Sequence, residues 1–324
     1  MKKIFILVPE QAVLQAIADP HYCFSTVNQF LVGSGKQALF EVKLVGAKPV
    51  VKQGNGLYAV FPEHLIADVE KPDLIIIPAL YGDMEDAVKN NSELIPWIVE
   101  QYKVGSEVAS LCVGAFLLAS TGLLNGQKCS THWGFAESFN EMYPEVMVDP
   151  GTIVTEQNGI YSSGGANSYW NLLLHLVEKY TDRQTAVLVA KYFAIDISRN
   201  SQSVFAMFRA QKNHSDEAVK KVQDIIEQKV DERFTIDELA QKVAVGRRSL
   251  ERRFKIATNN SVLEYIQRVK IEAAKRNLEN NRKSINEIML DVGYSDIKAF
   301  RTTFKKITGF SPIEYKNKYS KALS

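Results

Sequence analysis

The chain is 324 residues long, 46% hydrophobic and 23% charged with a formal net charge of +2, which is material for two or three domains with separate cores. Three cysteines, Cys23, Cys112 and Cys129, make an odd and sparse set for a disulfide framework, and Met1-Lys2-Lys3 leads straight into a short apolar strand rather than a signal-peptide core. The longest apolar run, Val108 to Leu124, is broken by Ser110, Gly114, Ser120, Thr121 and Gly122 and falls short of the roughly 20 residues a membrane span needs, so a cytoplasmic chain with reduced thiols and no membrane partner is expected.

In chain order, short apolar runs at Lys3–Val8, Phe40–Val45, Asp73–Pro78, Glu107–Leu111 and Ile160–Ser162 read as strands. Helical stretches fall near Val13–Phe24, Met84–Asn90, Ser92–Val104, Ala115–Thr121 and Ser168–Lys179. This alternation predicts a three-layer α/β domain over residues 1–194, with a mostly parallel sheet covered by helices on both faces. Sites in such sheets form beyond the C-terminal ends of the strands. Cys112 falls there, on a sharp turn between the strand Glu107–Leu111 and the following helix, where a helix N-terminus favours a thiolate. His132 follows twenty positions on, in Ser130-Thr131-His132-Trp133.

Other motifs carry less. Gly33-Ser34-Gly35-Lys36 lacks the remaining positions of a phosphate loop and reads as a loop ending a helix. His21, His64, His175 and His214 stand singly, so no structural zinc is expected. Ser163-Gly164-Gly165 offers backbone N–H groups to an anion, or simply opens a helix. Residues 195–215 are polar and punctuated, as a linker would be.

From Asp216 onward there are 23 Lys and Arg against 16 Asp and Glu, so a basic C-terminal part, net +7, follows an acidic N-terminal part, net −5. Polyanion binding belongs to the basic part. That part writes one device twice. Thr235 and Glu238 have capping-box spacing, Gly246 interrupts the pattern, and a second helix runs from about Arg247 to Ala257 with Leu250 and Phe254 on one face and Arg248, Arg252 and Lys255 opposite. Ser284 and Glu287, 49 positions later, repeat the box. Gly293 marks the break, Phe300 and Phe304 take the packing places, and Lys298, Thr302 and Lys305 face outward. Between the copies, Ser261 and Glu264 cap a connecting helix with Leu263, Ile266, Val269, Ala273 and Ala274 as its apolar stripe.

The stretch Val292–Tyr315 resembles the signature of the AraC/XylS transcription regulators, and Leu250–Phe254 resembles that family's first recognition helix. The resemblance covers about Ala218 to Tyr319 and implies an all-α domain, residues 216–324, whose two helix-turn-helix units enter successive major grooves. By position it assigns base contacts to Arg248, Glu251 and Arg252 and to Ile297, Lys298 and Thr302, with Lys255 and Lys305 beside them. The family commonly has Ser where Gly246 stands and Arg where Thr302 stands, which implies that the first unit reads bases more strongly than the second.

Over about Lys2 to Tyr192, with Cys112 and His132 in Ser110–Trp133 and the strand and helix of Tyr161–Tyr180, the chain resembles the ThiJ/PfpI, class I glutamine amidotransferase-like superfamily. Its fold is flavodoxin-like, and the fusion with an AraC-type reader resembles the GlxA-like regulators. Active members set an acid from just after the first strand against the cysteine. Ala16 or Gln15 stands at that place here, with Glu10 nearby in sequence. Cys112, His132, Val113 and Gly164 are therefore candidate ligand-pocket residues, and catalysis is not expected. A buried packing cysteine remains an alternative for Cys112.

The whole implies a regulator that reads double-stranded promoter DNA under control of an unidentified small molecule. A homodimer is expected, RNA polymerase is a candidate partner, and neither cofactor nor metal is expected. The competing readings are a cysteine-dependent hydrolase or glyoxalase-like enzyme with a DNA-binding tail, and a pure dimerisation scaffold.

Overall fold

A run such as Leu74-Ile75-Ile76-Ile77, apolar on both sides of the pleat, is stable only in the middle of a sheet covered on both faces, and the structure puts it there. The structure, a computed structural model, describes residues 1–198, 201–202, 207–208, 211–212, 214–280 and 283–320. Part of the expected linker thus lies outside the described residues. The chain forms two compact units, Met1–Gln202 and Ser203–Ser324.

The strands and helices of the first unit run in chain order β1 (Lys2–Leu7), α1 (Leu14–Gly33), β2 (Phe40–Gly46), β3 (Val51–Gln53), β4 (Tyr58–Val60), β5 (His64–Leu65), β6 (Leu74–Ile77), α2 (Met84–Asn90), α3 (Leu94–Lys103), β7 (Glu107–Ser110), α4 (Ala115–Ala119), β8 (Lys128–Cys129), α5 (Ala136–Met142), β9 (Met147–Val148), β10 (Val154–Gln157), β11 (Ile160–Ser163), α6 (Tyr169–Tyr180) and α7 (Arg183–Tyr192). Seven strands make one sheet in the order β10-β11-β7-β6-β1-β2-β5, parallel except for β10 against β11. The connection β1-α1-β2 steps toward one edge and β6-α2-α3-β7 toward the other. Right-handed crossovers in opposite directions put their helices on opposite faces. Accordingly α1 packs with α6 and α7, and α2 packs with α4.

Two sequence expectations change here. α1 runs past Phe24 to Gly33, with Pro20 buried inside it, because its face continues through Val27 and Leu31 into the core. The short strand β10 is a hairpin partner of β11, joined through Asn158 and Gly159 at φ 53° and 76°, the left-handed pair of a two-residue hairpin turn.

The second unit contains α8 (Glu217–Gln228), α9 (Ile236–Lys242), α10 (Arg247–Thr258), α11 (Val262–Asn280), α12 (Ile285–Asp291), α13 (Ile297–Thr308) and α14 (Pro312–Tyr319). Capping boxes at Thr235/Glu238, Ser284/Glu287 and Ser311/Glu314 start α9, α12 and α14. One core gathers Val222, Leu239, Leu250, Phe254 and Tyr265, and a second gathers Ile271, Ile288, Phe300, Phe304 and Tyr315. α11 serves both. Its buried stripe includes Val262, Tyr265, Ile266, Val269, Ile271, Ala274 and Leu278, whereas Leu263 is 55% exposed. The expected stripe was off by one residue at Leu263.

The repeat is not uniform. The first helices of the two copies are 49 residues apart, as the boxes imply, yet Leu250 and Phe300, Phe254 and Phe304, Thr258 and Thr308, and Tyr265 and Tyr315 fall at a spacing of 50. The left-handed residue that ends α9 is Ala244, φ 53°, and its counterpart after α12 is Gly293, φ 73°. Gly246 is not that counterpart: at φ −71° it is the N-cap of α10, matching Asp296 of α13. One residue more lies in the turn of the second copy.

Candidate ligand site and nucleic-acid interface

Cys112 stands where β7 ends and the chain reverses into α4. It adopts φ 56°, a strained conformation for a residue with a side chain, held by its N–H donating to Ser163 Oγ at 3.0 Å and its carbonyl accepting from Thr131 Oγ1 at 3.2 Å. Gly114 makes the turn close-packed, since a Cβ there would come within 2.4 Å of the Pro78 carbonyl oxygen. The thiol does not follow the expectation of a favoured thiolate. Burial pushes its pKa up, with hydrogen bonds from the Ala166 and Val113 backbones opposing, and α4 is only five residues long. Only 6% of Cys112 is exposed.

His132 Nδ1 accepts the Gly134 N–H at 3.0 Å, which leaves the proton on Nε2, and burial holds its pKa below the usual histidine value. Its ring packs against Gly165, where a Cβ would sit 2.1 Å from Cδ2. The strip from Ser163 to Ala166 thus touches Cys112 at both ends and His132 in between. Its N–H groups are engaged: Gly164 N–H donates to the Ile153 carbonyl at 2.7 Å and Gly165 N–H to Gln202 Oε1 at 2.9 Å. This offers no free anion nest at Gly164 and Gly165. Val113 is buried beside the thiol.

Of the two residues at the place of the family's acid, Ala16 is buried and Gln15 is exposed, and Glu10 pairs with Lys48. An acid does reach the site at one remove. Asp19, one turn along α1, accepts from Tyr169 Oη at 2.6 Å and Trp170 Nε1 at 3.1 Å, and burial together with the Asp19 carboxylate pushes the Tyr169 phenol pKa up. A cleft of about 440 Å³ lies elsewhere, against β10 and α6, lined by Val154, Asn171, His175, Glu178, Arg183 and Ile197 among others.

In the second unit, α10 and α13 each bury one face and expose the other. Arg248, Arg252 and Lys255 are exposed, and so are Lys298, Thr302 and Lys305. Glu251 is half-buried and pairs with Arg247 at 3.5 Å, while Arg247 also reaches Asp237 at 3.0 Å. Arg253 turns inward and grips Asp216, the N-cap of α8, with two hydrogen bonds of 2.6 and 2.7 Å. Ile297 is half-buried and packs on the second core, so its side chain is committed largely to packing.

Compared with known proteins, residues 3–179 match the model of the DJ-1/PfpI family. The chain belongs to the DJ-1/PfpI family. Residues 239–318 of this DJ-1/PfpI chain also match a helix-turn-helix domain model. The HTH-type transcriptional regulator GbdR of Pseudomonas aeruginosa is 25% identical over 221 residues, covering 68% of this chain and 60% of that protein. CdhR, an HTH-type transcriptional regulator of the same species, is 24% identical over 265 residues, covering 82% of this chain and 77% of that protein. The chain therefore spans less than two thirds of GbdR. A putative transcriptional regulator from Vibrio parahaemolyticus, 24% identical, superposes with a TM-score of 0.53 over 59% of this chain and 98% of that one, a likeness of fold.

Three residues of this DJ-1/PfpI chain escaped sequence reasoning. Arg301 is exposed between Lys298 and Lys305 and, at a spacing of 50, occupies the place of Glu251. The recognition-helix register would have found it; the capping-box register hid it. Asp19 and Gln202 reach the Cys112 region through the fold alone, and no local pattern marks them.

Proposed function

We propose that the chain is a sequence-specific DNA-binding transcription regulator controlled by a small molecule held in its DJ-1/PfpI unit. The observation that carries this reading is the pair of recognition helices, α10 and α13, in a single register with cationic faces turned to solvent. Residues 1–194 sense and dimerise, residues 195–215 link, and residues 216–324 bind double-stranded promoter DNA. Relatives named as HTH-type transcriptional regulators support the assignment. Among the described residues no helix is long and apolar enough to cross a membrane, which agrees with action in the cytoplasm. RNA polymerase is the further partner an activator at a promoter would engage.

In this reading Cys112, His132, Val113 and Gly164 form the ligand side of the DJ-1/PfpI unit and perform no catalysis. A thiol held protonated by burial, with its nearby acid hydrogen-bonded to Tyr169 and Trp170, is a poor nucleophile at neutral pH. Arg248, Glu251, Arg252 and Lys255 meet one major groove, and Lys298, Thr302 and Lys305, with Arg301 added and Ile297 contributing only its edge, meet the next. Arg301, at the place Glu251 holds in the first copy, gives the second recognition helix an exposed arginine of its own, which supports base reading by both helix-turn-helix units.

Selection of binding sites from random double-stranded DNA by the full chain tests the proposal. Arg252→Ala and Arg301→Ala should each cost about 1–3 kcal/mol at the selected site. Selection that enriches no sequence would refute DNA reading, and an Arg301→Ala variant that binds like the wild type would restore the first unit as the dominant reader.

A further inference from the structure

α11 buries a lysine where the two helix-turn-helix units meet. Lys270 is 6% exposed, and its ammonium donates to the carbonyls of Val230 at 2.6 Å, Glu232 at 2.9 Å and Val292 at 2.8 Å. An ammonium has three donors, and three acceptors use them all. Val230 and Glu232 lie in the loop between α8 and α9, which leads into the first helix-turn-helix. Val292 is the C-cap of α12, which belongs to the second. On α11 itself the neighbours of Lys270 divide the same way, Val269 into the first core and Ile271 into the second.

The close approach is enforced by the backbone as well. Gly293 sits at φ 73°, and a Cβ on it would lie 2.3 Å from the Asp231 carbonyl oxygen and 2.5 Å from Lys270 Nζ. The turn of the second helix-turn-helix is therefore seated directly on the loop that precedes the first, with the ammonium beside both. A buried charge is an inefficient source of stability, because apolar side chains of similar volume often serve as well or better. What an apolar side chain does not supply is one fixed arrangement of three carbonyls drawn from two units.

We propose that Lys270 is a positioning residue for DNA reading: its ammonium clamps the loop of residues 230–232 to the C-cap of α12, so that α10 and α13 are presented to DNA at a single spacing. The clamp rests on the DNA-reading proposal above. Successive major grooves are one helical turn apart, roughly 34–36 Å over 10–10.5 base pairs, so one inserted base pair shifts a half-site by about 3.4 Å and rotates it by about 35°. A rigid pair of readers loses one of its contacts on such a shift, whereas a hinged pair follows.

The test uses the full chain and the site it selects from random DNA, with one base pair inserted or deleted between the two recognised elements. The wild type should lose at least about ten-fold in affinity at either altered spacing. Lys270→Met and Lys270→Gln should cut that loss to about three-fold or less at the same salt concentration. Val222→Ala weakens the first core without touching the clamp, and it should keep the full loss. A folded Lys270 variant that discriminates spacing like the wild type overturns the clamp, as does Val222→Ala relaxing it equally. A wild type indifferent to spacing overturns it without any variant. Failure to select a site at all would instead remove the DNA-reading proposal on which the clamp depends.

Discussion

Gln202 is 1% exposed, and every polar atom of its carboxamide is used inside the first unit. Oε1 accepts the Gly165 N–H at 2.9 Å, and Nε2 donates to the Thr131 carbonyl at 2.9 Å and to the Thr152 carbonyl at 3.3 Å. Its backbone N–H donates to Gly151, and Ser201 bridges to Thr152. Gln202→Leu keeps the approximate volume and removes all three side-chain bonds. The largest loss is at Gly165, whose buried N–H then has no acceptor, a cost of about 1–3 kcal/mol. The Thr131 and Thr152 carbonyls lose less, since a carbonyl tolerates under-satisfaction better, and the leucine gains some apolar burial. The net expectation is about 2 kcal/mol against docking of this segment, a factor of about 30 in its opening equilibrium. Hydrogen exchange at the Gly165 amide in the full chain reads that factor directly, with Ile76 in the centre of the sheet as an unaffected reference. Gln202→Glu should loosen the segment as well, because a carboxylate would face two carbonyl oxygens. A rise of less than about three-fold at Gly165 in both variants would refute the reasoning and mean that water replaces the carboxamide at little cost.

Two further outcomes follow from backbone and charge. Ala244 holds φ 53° at the position where the second copy uses Gly293, and it is exposed, so Ala244→Gly should stabilise the helical unit by about 0.5–1 kcal/mol in urea unfolding; a loss of stability would show that the methyl packs usefully. His132 is held below its ordinary pKa of 6.5 by burial, so in the folded chain it stays neutral where the unfolded chain is already protonated. Its contribution to stability is complete above pH 6.5 and is lost as the pH falls through the depressed value. Thermal unfolding of the DJ-1/PfpI unit should therefore shift downward on acidification below pH 6.5, and His132→Gln should flatten that dependence. An unchanged profile in the variant would assign the effect to other groups.

What was legible in the sequence was local or periodic. The capping pair Thr235 and Glu238 announces α9 because both partners lie within one turn, and Leu74–Ile77 announces a central strand because a short, β-branched apolar run flanked by Pro72 and Pro78 suits a strand buried on both faces. Asn158-Gly159 is a hairpin dipeptide visible in the sequence, and it joins β10 to β11. α1 accommodates Pro20 inside it and runs on to Gly33, because burial of Val27 and Leu31 in the turns beyond outweighs the single hydrogen bond a proline forfeits. The Cys112 turn was legible as a turn. Its protonation was not, because a helix N-terminus is visible in sequence whereas the depth of burial is set by residues far along the chain. Gln202 and Asp19 are the extreme case, since their partners lie 37 and 150 residues away.

The spacing of 50 runs beyond the recognition helices. Ser261, Glu264 and Tyr265 at the start of α11 recur as Ser311, Glu314 and Tyr315 at the start of α14, and each tyrosine hydroxyl donates to a glutamate, Glu227 or Glu279, of an earlier helix in its own copy. α11 and α14 are thus the same closing helix, written once at 19 residues and once at 8. The longer version closes one module and, in its remaining turns, opens the core of the next. One helix is thus a wall shared by the two modules, and the second copy is joined to the first through packed side chains rather than a tether.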